Sequence, residues 1–134
     1  MEFKLTATFN ATAKKIYDAW LDGNKHTAMT GGEANTSRQI GDEFDAWNGY
    51  IQGTNLELTP NKKIVQSWRT SEFEEHEEDS KIEITLEEIE GKTELTLTHS
   101  NLGETGEQYK KGWQEHYFEP MKAYFSENLS LIHI

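Results

Sequence analysis

The chain has 134 residues, and its 24 acidic against 13 basic residues give a formal net charge of −11. A chain of this length suits one domain with one core, and its negative charge disfavours nucleic acid and anionic membrane surfaces as partners. The absence of cysteine excludes disulfides, thiolate nucleophiles and cysteine-based zinc sites. The sequence also contains no long apolar stretch, and together these two features predict a cytoplasmic protein.

The first part of the chain predicts a strand followed by two short helices. Apolar and polar residues alternate in "EFKLTATF", the period-two pattern of a half-buried strand. The next stretch, "NATAKKIYDAWLDGN", changes to a helical period, with Thr12 able to cap the helix and Asp22-Gly23-Asn24 able to end it. A second short helix is expected over Lys25–Met29, closed by a Thr-Gly-Gly turn.

From about Glu33 to Ser100, strand-like segments alternate with turns. The segments are "EFDAW", "YIQGTNLEL", "KIVQSWR", "SKIEITLEEI" and "KTELTLTHS". The turns are Gly41-Asp42, Asn48-Gly49, Pro60-Asn61 and Glu90-Gly91. Asn48-Gly49 is the most specific of them, because a type I′ hairpin turn needs positive φ at both central residues. Tight turns join antiparallel neighbours, so the sequence predicts a continuous meander.

A capping-box pattern at Thr105 and Gln108 predicts the start of a final helix of about twenty residues. Its apolar residues cover an arc of roughly 160°: Tyr109, Trp113, Tyr117, Pro120, Met121, Tyr124 and Phe125. Such a wide face fits a concave sheet, either as plain core or as the wall of a ligand pocket. Pro120 removes the hydrogen bond to the His116 carbonyl and is expected to bend the helix.

Few other residues suggest chemistry. His99 shares the inward parity of Leu95 and Leu97, which favours a hydrogen-bonded core residue and leaves catalysis as the alternative. Trp47 and Trp68 either line a cavity mouth or pack within the sheet. The five histidines lack metal-ligand spacing, and no nucleotide-binding or nucleophile motif is present. The sequence therefore predicts no metal, no cofactor and no catalytic residue.

The run "EFEEHEED", from Glu72 to Asp79, places six carboxylates in eight residues at the expected tip of a long hairpin. One interpretation is a solvated loop whose charges repel one another. The other is a docking site for a basic partner surface, with charge steering the encounter. The candidate docking residues are Glu74, Glu75, Glu77, Glu78 and Asp79.

Three segments together resemble a known family. The helix "GWQEHYFEPMKAYF" resembles the final helix of the C-terminal domain of the activator of heat shock protein 90 ATPase (Aha), a family of the START-like, or SRPBCC, helix-grip superfamily. The stretch "GDEFDAWNGYIQGTNLELTPNKKIVQSWR" is similar to the strand run of that family, and "KIEITLEEIEGKTELTLTHSNL" to the hairpin that follows. The resemblance extends over essentially Glu2–Ser126.

The resemblance implies an α+β helix-grip fold. In that fold a curved antiparallel sheet of six to seven strands wraps around a long C-terminal helix, with two short helices after the first strand. Residues 1–134 are expected to form a single Aha-type START-like domain. The final residues, "NLSLIHI", lie beyond the matched helix; they either dock as an apolar end or are not native to the protein.

Three functions remain open. The first is a non-catalytic domain that binds a small hydrophobic or amphipathic ligand between the sheet and the helix. Its candidate wall consists of Trp47, Trp68, Leu97, His99, Trp113, Tyr117 and Met121. The second is a co-chaperone that binds an Hsp90 homologue and modulates its ATPase. The third is a cyclase-like or hydratase-like enzyme of the same superfamily, which would need His99 or Arg69 to act inside the cavity.

One departure from the family bears on the co-chaperone hypothesis. The resemblance implies that the full-length eukaryotic activators make their principal chaperone contact through a separate N-terminal domain, and this sequence shows no counterpart of it. The matched part corresponds to the domain that assists chaperone binding, so we expect binding rather than full stimulation of ATP hydrolysis.

Overall fold

The computed structural model describes the backbone of residues 1–132 and the side chains of residues 1–126. Strand β1 spans Phe3–Phe9, and helices α1 (Ala13–Leu21) and α2 (Gly23–Thr30) follow it. The remaining strands are β2 (Glu43–Ala46), β3 (Ile51–Thr59), β4 (Lys63–Thr70), β5 (Ser80–Ile89) and β6 (Lys92–Ser100). The predicted docking of the tail 128–134 lies outside the described side chains. Over residues 1–132, no helix has the length and the apolar character that crossing a bilayer requires.

The six strands form one antiparallel sheet in the order β1-β6-β5-β4-β3-β2. Strands β2 to β5 are each paired with the next strand along the chain, which confirms the predicted meander. Strand β1 pairs with β6 so that Phe3 lies opposite His99. The register between β3 and β4 shifts between Asn55 and Glu57, which marks a bulge near the middle of β3.

The predicted hairpin turn at Asn48-Gly49 has the expected backbone. Asn48 and Gly49 have φ values of 58° and 87°, and the Tyr50 N–H donates to the Trp47 carbonyl at 3.1 Å. Trp47 also has a positive φ, of 53°, which is uncommon for a bulky side chain. The sequence did not predict this third left-handed residue.

The two short helices are capped by side chains. The Thr12 hydroxyl accepts a hydrogen bond from the Lys15 N–H at 3.2 Å, which confirms the predicted cap of α1. Asp22 ends α1 and also accepts from the Lys25 N–H at 3.0 Å. Helix α2 therefore begins at Gly23, two residues before the predicted start, because the residue expected to terminate the first helix also caps the second.

The C-terminal helical segment begins with a 3₁₀ turn (Glu104–Glu107) and continues as α3 (Gln108–Trp113), a π turn (Gln114–Phe118) and α4 (Glu119–Ile132). The predicted capping box is wrong. Gly103 has the extended backbone of an N-cap, whereas Thr105 is already inside the 3₁₀ turn, and no side chain caps this end.

The π turn explains how a proline fits into this segment. The Glu119 N–H bonds to the Gln114 carbonyl, five residues back, so the helix leaves α geometry just before Pro120. Pro120 then lies in the first turn of α4, where a missing N–H is tolerated. The wider turn also brings Phe118 inward beside Tyr117, although regular helical spacing leaves Phe118 off the predicted apolar face.

The core lies between the sheet and the helical segment. Phe9 of β1 contacts Phe118 and Phe125, with ring centroids 6.2 and 6.1 Å apart. Leu95 and Leu97 of β6 are fully buried in the same core. The helix therefore seats its apolar face on one side of the sheet, and the space at its N-terminal half defines the site described below.

Replacing Pro120 with alanine should change the free energy of unfolding by less than about 1 kcal/mol, because the π turn already removes the strain of a proline in a helix interior. Urea unfolding monitored by circular dichroism measures this. The matched control is Ala123→Pro at an exposed position of α4, which should cost about 3 kcal/mol. A gain of that size from Pro120→Ala would contradict the interpretation.

Candidate functional site

A cavity of about 480 Å³, open to solvent on one side, lies between the β2–β3 turn and the N-terminal half of the helical segment. The sheet side contributes Trp47, Tyr50, Ile51 and Trp68. The helical side contributes Gln108, Tyr109, Gly112, Trp113, His116 and Tyr117. The volume falls in the range of about 300–1,000 Å³ that small-molecule sites occupy. Aromatic rings supply most of the surface, and none of these ten residues is Lys, Arg, Asp or Glu.

The floor of the cavity consists of aromatic side chains packed against one another at tilted angles. Trp68 and Trp113 have ring centroids 5.7 Å apart, and Trp113 and Tyr117 have centroids 4.7 Å apart. All three side chains are buried. Trp113 and Tyr117 are four residues apart, so they project from the same side of the helix. The floor is therefore built by one strand and one helical turn packed together.

His99 supports this floor from below. The Trp113 indole N–H donates to Nδ1 at 3.0 Å, Nε2 bonds to the Ser80 hydroxyl at 2.9 Å, and that hydroxyl donates to the Trp68 carbonyl at 2.6 Å. Because an indole nitrogen only donates, His99 carries its proton on Nε2. Burial lowers the pKa of His99 to about 3. Both ring nitrogens are used, so His99 is a hydrogen-bonded core residue.

A second buried histidine, which the sequence analysis did not single out, holds Tyr117. His26 Nδ1 donates to the Trp20 carbonyl at 2.9 Å, and Nε2 accepts from the Tyr117 hydroxyl at 3.1 Å. Burial lowers the pKa of His26 and raises that of Tyr117. The available signal was the spacing of His26 from Met29, which puts both on the buried side of α2.

Trp47 carries two unfavourable local features. Its backbone is left-handed, and its buried indole N–H has no hydrogen-bond partner among the described residues. The Trp47 N–H and the Tyr117 hydroxyl do not meet the geometry of a hydrogen bond. The N–H is still near enough to favour the ionised hydroxyl, which partly offsets the rise in the pKa of Tyr117. A Cβ on Gly32 would lie 2.4 Å from the Trp47 ring, so glycine is required there. Strain and unpaired donors of this kind concentrate at functional sites.

Gly112 keeps the helical wall of the cavity open. A Cβ built at this position would meet no described atom within 4 Å. Glycine in a helix is less stable than alanine by about 1 kcal/mol. The missing side chain therefore leaves free space at the position where the helix borders the cavity.

The rim of the cavity is polar and negatively charged. The Tyr50 hydroxyl donates to the Glu72 carboxylate, and the Tyr109 hydroxyl pairs with the Thr70 hydroxyl at 2.9 Å. Burial raises the pKa values of Tyr50 and Tyr109, and the negative charge of Glu72 raises both further. The opening thus combines aromatic hydroxyls with one carboxylate.

The structure divides the seven predicted wall residues into two groups. Trp47, Trp68, Trp113 and Tyr117 line the cavity, whereas Leu97, His99 and Met121 are fully buried in the core beneath it. The prediction missed Tyr50, Ile51, Gln108, Tyr109, Gly112 and His116. Tyr109 belonged to the predicted apolar face, but residues of the turn and the helix meet only through tertiary packing.

The acidic run forms the loop between β4 and β5, where the sequence placed it. Arg69 organises this loop by donating to the carbonyls of Glu74 and Glu77 and to the Asp79 carboxylate at 3.1, 3.2 and 2.6 Å. Among the predicted docking residues, Glu74, Glu75, Glu78 and Asp79 are exposed and Glu77 is half-buried. Arg69 borders a different depression, with Phe44 and Gly53, so neither Arg69 nor His99 reaches the cavity.

A metal site finds no support in the part of the chain that the structure describes, since no three side chains among His, Asp and Glu come together there to hold an ion.

Comparison with known proteins gives one family match and several relatives. The model of the family described as Activator of Hsp90 ATPase homolog 1-like protein matches residues 10–126. The Activator of 90 kDa heat shock protein ATPase homolog of Dictyostelium discoideum is 31% identical over 129 residues, covering 92% of this chain and 32% of that protein. Human homolog 1 is 28% identical over 122 residues, covering 90% and 36%. The chain spans about a third of the length of these curated relatives.

Among solved structures, an HSP90 activator from Plasmodium falciparum is similar along nearly its whole length. The TM-score is 0.78 at 25% identity, covering 98% of this chain and 95% of that one. The predicted α+β helix-grip fold is confirmed: a six-stranded curved antiparallel sheet, two short helices after the first strand and a long C-terminal helix.

Substitution of His99 by glutamine should flatten the dependence of stability on pH. An unfolded histidine titrates near pH 6.5, whereas folded His99 stays neutral down to about pH 3. As pH falls below about 6.5, proton uptake by the unfolded state lowers wild-type stability by up to about 1.4 kcal/mol per pH unit. Denaturant unfolding of both proteins between pH 7 and pH 5 measures the difference.

The control for this experiment is the exposed His76→Gln, which should unfold like the wild type at each pH. Equal slopes for wild type and His99→Gln would show that His99 takes up a proton in the folded state, against the hydrogen-bond assignment.

Proposed function

Because the chain belongs to the family of Activator of Hsp90 ATPase homolog 1-like proteins, we propose that it is a non-catalytic helix-grip domain that binds a small amphipathic ligand. The ligand occupies the cavity between the β2–β3 turn and the helical segment. Residues 1–134 act as one domain in this proposal, with a cytoplasmic location. The observation that carries it is a cavity of about 480 Å³ walled by aromatic rings, well above the roughly 300 Å³ at the low end of ligand sites.

The lining indicates an amphipathic ligand rather than a purely apolar one. The floor offers the ring surfaces of Trp68, Trp113 and Tyr117, which favour an apolar body. The rim offers the hydroxyls of Tyr50 and Tyr109, which can exchange hydrogen bonds with a polar end. A molecule bound with its apolar end inward therefore matches both parts of the surface.

The strained features of the wall support the same proposal. The buried N–H of Trp47 lacks a partner among the described residues and its backbone is left-handed. Both features lower the stability of the folded protein, and such costs are found mainly at functional sites. Gly112 likewise gives up helix stability at a wall position where a side chain would enter free space. Both positions thus favour an open cavity over local stability.

Catalysis is not part of the proposal. An enzyme of the cyclase or hydratase type needs a proton donor or acceptor within reach of the ligand. His99 uses both nitrogens beneath the floor, and Arg69 is bound to the acidic loop outside the cavity. The two residues on which the enzymatic alternative depended are therefore occupied by structural contacts.

Filling the cavity from Gly112 should abolish ligand retention without unfolding the protein. Gly112→Leu gains helix propensity of up to about 1 kcal/mol, and its side chain enters free space. Native mass spectrometry of the purified proteins should show an added mass on the wild type and none on Gly112→Leu. The smaller Gly112→Ala is the matched control and should keep the added mass. A wild type that carries no added mass, also after exposure to a cell extract of small molecules, would overturn the proposal.

Modulation of an Hsp90-type chaperone is the second candidate function. It is favoured by the names of the relatives, which are activators of Hsp90 ATPase, and by the similarity to the P. falciparum activator along both chains. The exposed acidic side chains of the β4–β5 loop, above all Glu74, Glu75 and Glu78, offer a surface for a basic partner.

Titration of an Hsp90-type chaperone with the protein should change its rate of ATP hydrolysis, more strongly at low than at physiological salt. Joint replacement of Glu74, Glu75 and Glu78 by glutamine should weaken the effect. The matched control replaces Glu87, Glu90 and Glu94, which are exposed at the opposite end of β5 and β6. An unchanged rate, together with no complex by calorimetry at low salt, would exclude this function.

A further inference from the structure

We propose that the cavity selects ligands with an alkylammonium head, that is, a permanently or normally protonated nitrogen that carries alkyl groups. The inference rests on the proposed ligand-binding function and specifies the chemistry of the ligand. It follows from the rings that surround the cavity and from the distribution of charge around its opening.

Rings of the kind that attracts cations dominate the lining. Six of the ten lining residues are Trp or Tyr: Trp47, Tyr50, Trp68, Tyr109, Trp113 and Tyr117. The face of such a ring is electrostatically negative and attracts a cation within about 6 Å of its centroid, with Trp the strongest. A purely apolar pocket could be built from Leu, Ile and Val, and here Ile51 is the one residue of that kind among the ten described lining residues.

The rings come from both the sheet side and the helical side of the cavity. Trp68 meets Tyr109 at 5.0 Å and an interplanar angle of 80°, and it meets Trp113 at 5.7 Å and 35°. Trp47 contributes a further ring from the β2–β3 turn. These ring pairs already touch, so a cation does not enter between them. An alkylammonium head instead lies at the opening beside the Tyr50 and Tyr109 rings, near Glu72, and its apolar part lies inward against the floor.

The charges near the opening favour a cation and disfavour an anion. Glu72 is bonded to the Tyr50 hydroxyl at the rim. The basic side chains nearby are paired elsewhere: Lys110 with Glu107, Lys111 with Glu115 and Arg69 with Asp79. Among the lining residues that the structure describes, a ligand anion would meet one basic side chain, the exposed imidazole of His116.

Size and hydration distinguish an alkylammonium from other cations. A metal ion needs several oxygen ligands, and none of the described lining residues carries a carboxylate. A bare ammonium would lose strong hydration on entering an aromatic site. Alkyl groups on nitrogen reduce that loss and present apolar surface to the rings, and the remaining volume accepts an apolar tail.

The test compares three small probes of similar shape but different charge: phenyltrimethylammonium, its neutral isostere tert-butylbenzene, and the anion benzenesulfonate. Binding is measured by tryptophan fluorescence and by shifts of the indole N–H signals in NMR spectra. The cation should bind about tenfold more tightly than the neutral isostere, and the anion more weakly than both. Rising salt should weaken the cation alone, since Glu72 lies at the exposed rim.

Variants separate the charge effect from the cavity itself. Glu72→Gln, which keeps an acceptor for Tyr50, should reduce cation affinity several-fold and leave the neutral probe unchanged. The control Glu94→Gln removes an equal charge from the distant outer face of β6 and should change neither affinity. Gly112→Leu should abolish binding of both probes.

The outcomes are distinct. Equal affinities for cation and neutral isostere would overturn the alkylammonium inference and leave the proposed ligand-binding function in place. A cation preference that survives Glu72→Gln would support the rings as its source. Failure of all three probes to bind would overturn the inference, and the mass-spectrometric test of the purified protein would then decide the proposed function separately.

Discussion

The hydrogen bond from Trp113 to His99 is the contact on which the site depends. It ties the helix to β6, and the same series of hydrogen bonds continues through Ser80 of β5 to the backbone of Trp68 on β4. This series of hydrogen bonds therefore fixes the position of the helix relative to β4, β5 and β6 beneath the cavity. Because each of these buried polar atoms is paired, any shift of the helix would leave a donor or acceptor unsatisfied, which costs more than the loss of an exposed hydrogen bond.

Above that floor, the protein leaves space instead of filling it. The π turn buries Tyr117 and Phe118 and also admits Pro120 into the first turn of α4. Gly112 omits a side chain where one would fit, and Gly32 lets the Trp47 ring lie against the backbone. Packed interiors usually close such gaps, because dispersion attraction between touching atoms stabilises the folded state. Their persistence beside an indole N–H that has no partner within residues 1–126 is the physical reason to interpret the space as a binding site rather than as a packing defect.

The family match supports a role with a chaperone, whereas the cavity supports the binding of a small ligand. The matched region, residues 10–126, includes the whole cavity and the acidic loop, but the chain spans only about a third of its curated relatives. A fold of this kind carries unrelated functions on the same scaffold. The cavity and the acidic loop meet at Glu72, so a small ligand and a basic partner would approach the protein from neighbouring surfaces. The two proposed functions are thus compatible in space, and each depends on its own set of side chains.

The sequence by itself determined the order and type of the elements, the antiparallel meander, the inward direction of His99 and the apolar face of the final helix. These properties follow from local periodicity and turn residues, because a strand or helix repeat decides on which side a residue points. Tertiary structure alone decided which inward residues face empty space: Trp68 and Trp113 line the cavity, whereas Leu97 and Met121 lie beneath it. It also decided the π turn that turns Phe118 inward and the binding of Arg69 to the acidic loop. Those outcomes depend on the distances between elements that are far apart in the chain. The empty volume also depends on the absence of a side chain at Gly112. A local sequence pattern encodes neither a distance between elements nor an empty volume.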